Sequence, residues 1–167
     1  KQAMELVVEM NRNLQTQIPN QVGIYDDAFN INCVGDTFQS LDIPTVLFEA
    51  GHYDNDYNRE VVREFIFESL VVAINHIANF ELTGKGHKFY TKIPQNQKLF
   101  YDIIIRNTMM EGEKFDIAIQ YQEKLIDGDI KFIPMVEKIS DLNGYFGHRE
   151  VDAEQKVIYT HNHKVIY

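Results

Sequence analysis

The chain has 167 residues, 44% hydrophobic and 25% charged, with a formal net charge of -9, enough for one ordinary domain or two small ones around a core. No apolar run approaches the ~20 residues that span a bilayer, and Lys1-Gln2-Ala3-Met4-Glu5 has no signal-peptide pattern, so a soluble protein with no membrane partner is expected. The acidic balance, without a basic stripe, argues against nucleic acid, whose binding rests on clustered Lys and Arg. Cys33 is the single cysteine, which rules out an internal disulfide or a cysteine-built zinc site and leaves a buried structural thiol as the expectation. A reduced cytosol fits one thiol, as would a cleaved secreted protein; the expected location is cytoplasmic.

Ala3, Leu6, Val7, Met10 and Leu14 recur at helical spacing and predict a helix over 2–17, which Pro19 ends by disfavouring helical geometry at Ile18. The first residue is not Met, and the helical pattern is already under way there, which reads as an excised fragment. Residues 21–41 are polar and turn-rich, a long loop of the kind that often carries function. Next, Ile43-Pro44-Thr45-Val46-Leu47-Phe48-Glu49 is a continuous apolar run ending in a carboxylate, and predicts a strand buried on both faces of an α/β sheet. Ligands bind at the carboxyl edge of such sheets, so Glu49 is a site candidate, with a solvated or paired carboxylate as the alternative. Asn58 is placed to cap a helix in which Val62, Phe65, Ile66, Leu70, Ala73, Ile74 and Ile77 form an apolar stripe to about residue 79. Strand and helix make a βα unit that needs neighbouring strands to bury its sheet.

Thr83-Gly84-Lys85-Gly86 marks a boundary, and the predicted domains are 1–83 and 87–167. Phe100–Arg106, Phe115–Leu125 and Lys131–Ile139 read as strands, with Asp127-Gly128 as a tight turn. Val157–Thr160 and Lys164–Tyr167 are shorter candidates, and Gly144, Gly147 and Asp152 are assigned to a loop before them. The fold class is thus a partial α/β sheet with helices followed by a small all-β domain.

Six histidines include no His-x-x-Glu or His-Glu-x-x-His, and no serine lies in a Gly-x-Ser-x-Gly elbow. His161 and His163 stand two apart and read as a surface pair. His76 near a helix end complements its dipole, and His148 has no partner nameable from sequence. Glu49 with His52 remains, and a strand-end Glu acts as general base on a water only if something else, usually a metal, activates that water.

With Asp36-Thr37-Phe38-Gln39-Ser40-Leu41 before it and the capped helix after it, Phe48-Glu49-Ala50-Gly51-His52-Tyr53 resembles the carboxyl-terminal part of the zinc carboxypeptidase-like metallopeptidases. The likeness is greatest to a bacterial branch in which Pro-Thr-Val-Leu-Phe-Glu-Ala-Gly-His closes the catalytic domain. The resemblance covers roughly residues 1–80. It implies a carboxypeptidase-like α/β sheet and amide hydrolysis by zinc-activated water, with Glu49 as general base and proton shuttle. Tyr25 and His52 are then the candidates for substrate binding. In that family the zinc ligands, a His-x-x-Glu pair and a later His, lie upstream of the matched strand. Zinc would therefore belong to the complete protein, no metal ligand to this chain, and the fragment alone would be inactive. Arg59 and Arg63 read as a solvated or ion-paired helix face.

The β half resembles domains appended to deacylases of the succinylglutamate desuccinylase and aspartoacylase type, so deacylation of a small acyl amino acid rivals peptide cleavage. A binding module over 87–167, presenting Phe89, Tyr90, Phe100, Tyr101 and Phe115, and a pseudoenzyme are further alternatives. A truncated sheet edge would favour self-association.

Overall fold

Val8 and Met10 turn inward from Gln2–Leu14, which forms helix α1 in the computed structural model; the structure describes residues 1–26, 28–110, 112–154, 159–161 and 164–166, at 110, 159–161 and 164–166 by backbone alone. Two compact units result, one of Lys1–Gly51 and Arg59–Gln97, the other of His52–Asn58 with Lys98 onward. The predicted strands at 157–160 and 164–167 fall partly outside the described residues; backbone strands β5 (Tyr159–His161) and β6 (Lys164–Ile166) pair antiparallel. Of the pair His161 and His163, His163 and the side chain of His161 lie outside them.

The first unit is helical. Besides α1 it contains α2 (Val34–Ser40), α3 (Glu60–Asn79) and a 3-10 helix over Lys85–Lys92. α1 packs against α3 and the 3-10 helix, and Asn13 and Gln17 donate side-chain hydrogen bonds to Glu68 of α3. The stretch expected to be loop therefore contains α2, and near its start Ile24 pairs with Gln95: Ile24 N–H donates to Pro94 O at 2.7 Å, and Asn96 N–H to Ile24 O at 2.8 Å. Gly23 is required there, because a Cβ would lie 2.7 Å from Asn96 Cα.

Three local expectations are corrected. Residues 43–50 form no strand; Ile43 is 47% and Leu47 65% exposed. A strand buried on both faces needs flanking strands to take its backbone hydrogen bonds, and among the described residues of this unit the one bridge outside the helices is Ile24 with Gln95. The α3 stripe also is not wholly buried. Of the stripe Val62 is buried, while Leu70, Ile74 and Ile77 are exposed, and the other buried residue of α3 is Ser69, because α1 covers the face that carries Glu68. Finally, the N-cap of α3 is Arg59 in a left-handed conformation (φ 59°), not Asn58.

The second unit carries a mixed four-stranded sheet in the order β3-β2-β1-β4, formed by β1 (Phe100–Met110), β2 (Glu113–Ile126), β3 (Asp129–Ser140) and β4 (Phe146–Asp152). β1 with β2 and β2 with β3 are antiparallel; β4 lies parallel to β1. The observed fold class is thus an α/β mix. Asp127 (φ 53°) and Gly128 (φ 85°) form the β2–β3 turn with two positive dihedrals, the geometry that matches hairpin twist.

β4 replaces the loop expected around Gly147. A glycine suits that position because a Cβ would lie 3.2 Å from Ile104 N. Two clusters form the core: Ile105, Ile117, Ile119, Val136 and Ala153, and then Tyr101, Ile104, Ala118 and Leu142. Between Ile105 and Thr108 the β1–β2 register slips. Arg106 there donates to Asp116 at 3.1 Å, to Glu150 at 3.0 Å, and to the carbonyls of Leu142 and Tyr145, pinning the β3–β4 connection.

Candidate functional site

Glu49 ends the apolar run as an exposed side chain in the helical unit. The two residues after it are fixed from α3. Arg59, in a left-handed conformation at the N-cap of α3, donates through its guanidinium to Ala50 O and, at 2.7 Å, to Gly51 O. A planar guanidinium suits two adjacent carbonyls, since its donors diverge in a fixed fork. Arg63 pairs with Glu60 one turn on, as a helix-face arginine does. Arg59 thus has a positioning task that periodicity could not reveal.

Tyr25 follows the Ile24 bridge and is 48% exposed. Its anchor and that of Glu49 are separate: backbone pairing with 94–96 for the first, Arg59 for the second. Cys33 is exposed at the N-cap of α2, which corrects the expectation of a buried thiol; it stands where the loop turns into the helix, without packing around it. Among the described residues, no group of three or more His, Cys, Asp or Glu side chains is placed to hold a metal ion.

His52 belongs to the sheet unit, where it meets His148 and Phe100, the first given no role and the second placed only among the aromatics of a binding module by the sequence reading. Its Nδ1 lies 3.1 Å from Nε2 of His148 on β4. Phe100 stacks on His52 at 5.5 Å between centroids and meets His148 edge-on at 4.8 Å, while Tyr57 stacks on His148 at 4.0 Å. His148 is 4% exposed. Burial, reinforced by His52, pushes its pKa down against the opposing pull of Asp102, Asp54 and Asp56. The Tyr57 hydroxyl is pushed up, first by burial and then by Asp102 and Tyr121. No sequence signal could have found this cluster, because its histidines stand 96 positions apart.

No helix among the described residues is long and apolar enough to cross a membrane. Compared with protein-family models, with curated proteins and with solved structures, the chain gives no match.

Proposed function

We propose that this chain supplies the general base, Glu49, of a zinc carboxypeptidase-like hydrolase that cleaves an amide bond of a peptide or an acyl amino acid in the cytoplasm. The observation that carries the reading is the setting of Glu49. It is an exposed carboxylate at the end of an apolar run, and the next two carbonyls are held by Arg59. A carboxylate within reach of solvent, on a backbone whose next two carbonyls are held by Arg59, is suited to take a proton from water and pass it to a leaving amine. The resemblance places the zinc ligands upstream of the matched strand, so the reading assigns zinc to residues outside this chain and gives this chain proton transfer alone. Exposed Ile43 and Leu47, with Phe67, Ile74 and Ile77 of α3, support it as apolar surface that the neighbouring strands of a carboxypeptidase-like sheet would cover.

The test is hydrolysis by the complete zinc-loaded polypeptide, assayed on peptides and on acyl amino acids to separate carboxypeptidase from deacylase. Glu49→Gln is expected to lower turnover about 10²–10⁴-fold with zinc content unchanged. Full activity in that variant, or an extended reading frame without His-x-x-Glu and a later His, overturns the proposal. One zinc bound tightly by the 167-residue chain itself would overturn the placement of the ligands elsewhere.

A second reading, a non-catalytic binding module, is favoured by the β2–β3 hairpin, where Leu125, Ile130 and Phe132 are 76%, 65% and 60% exposed. Of the aromatics proposed from sequence for that role, Tyr101 is buried in the core. A hairpin variant, Leu125→Ser with Phe132→Ser, that retains full hydrolysis in the complete protein assigns catalysis away from the hairpin.

A further inference from the structure

Of the cluster around His148 the hydrolase reading uses only His52, as a substrate-binding candidate, and gives His148, Tyr57 and Phe100 no part. Two imidazole nitrogens 3.1 Å apart share one proton when both rings are neutral, one ring donating and the other accepting. His148 Nδ1 is buried and has no hydrogen-bond partner among the described residues. An orphaned buried N–H is the costlier choice, so the favoured tautomer has His148 donate through Nε2 to His52 Nδ1 and leaves its own Nδ1 bare. A further proton on His148 must go to Nδ1, where it makes a buried cation without an acceptor.

We propose that His52 and His148 form a proton-sensitive latch: while both imidazoles are neutral, their hydrogen bond and the Tyr57 stack fasten residues 52–58 to β4, and protonation of His148 releases them. The charged groups around the pair and its Tyr57 stack come from the segment, β1, β2 and β4. The segment itself contributes Asp54, Asp56 and Tyr57, and β1 contributes Asp102; Arg149 of β4 and Tyr121 of β2 act on Tyr57. The three carboxylates favour the cation, but burial, the largest influence, and His52 disfavour it. The folded protein thus holds the His148 pKa below its ordinary value of about 6.5. Closure is full above that value and is lost as pH falls beneath it. The latch does not depend on the role of Glu49.

The experiment is amide hydrogen exchange over residues 53–58 in the full chain, from about pH 7.5 to about pH 5, corrected for intrinsic exchange. Protection is expected to fall on acidification by up to about tenfold per pH unit, the slope of one proton. His148→Phe keeps a ring between Tyr57 and Phe100 but cannot be protonated, and its protection is expected to be independent of pH. Constant protection in the wild type overturns the latch. So does an unchanged pH slope in His148→Phe, which would assign the effect to a group other than His148. If that variant does not fold, proton NMR of the wild-type His148 ring decides: a midpoint below about 6.5 supports the latch and one at or above it overturns it.

Discussion

In the sheet unit, Ile104, Ile117, Ala118 and Leu142 are fully shielded from water, whereas in the helical unit the longest helix, α3, buries only Val62 and Ser69 and leaves Phe67 66% and Ile74 64% exposed. A sheet pairs its backbone across strands and fills both faces from non-local residues, so its core closes once the ladder forms. A helix satisfies its own backbone and persists even when one apolar face lacks a cover. Exposed apolar surface in the helical unit therefore lies along α3 and the 43–47 run, whereas in the sheet unit it is found at the β2–β3 hairpin, where Leu125, Ile130 and Phe132 are exposed.

Mutations should divide along the same line. Ile104→Ala, at a site with 0% exposure, is expected to destabilise by about 2–5 kcal/mol in equilibrium denaturation. Arg106→Ala removes bonds to Asp116 and Glu150 and leaves the β3–β4 connection unpinned; a loss of about 2 kcal/mol should appear as a lower urea midpoint. Acidification acts on the same unit through His148. Because its folded pKa is depressed, its contribution is present above about pH 6.5 and lost below, with a slope no steeper than about 1.4 kcal/mol per pH unit, measurable from denaturation at several pH values. Gly128→Ala meets a φ of 85° and should lose about 1 kcal/mol. The smallest effect belongs to the helical unit: Ile74→Ala should stay within about 0.5 kcal/mol. A cost there equal to that of Ile104→Ala would break the comparison.

The helices α1 and α3, the strands β1 to β3 and the Asp127-Gly128 turn were legible because each follows from spacing within one segment. Apolar residues at 3.6 or 2 positions, or two adjacent residues that tolerate positive φ, need no partner to declare themselves. The failures share one cause. The run at 43–49 has the composition of a buried strand, yet composition cannot state whether flanking strands exist. The stripe of α3 was visible, but not which side α1 would cover. Cys33 is small and apolar, but its burial depends on what the chain places around it.

The candidate site was legible to the same extent. Glu49 was singled out as a candidate by its position after an apolar run, Tyr25 by its place in a polar loop and by the resemblance, and His52 by its nearness to Glu49 in sequence. The tertiary structure gave Glu49 an arginine that clasps the carbonyls after it, and gave His52 a partner on a distant strand. Sequence alone thus determined α1, α3, β1 to β3 and the Asp127-Gly128 turn, since periodicity and turn chemistry are properties of neighbouring residues, but not α2, β4 or the state of residues 43–49. Which faces are covered, how β4 joins β1 in parallel, and which histidine meets which were decided only in three dimensions, where contacts between remote residues compete for the same surface.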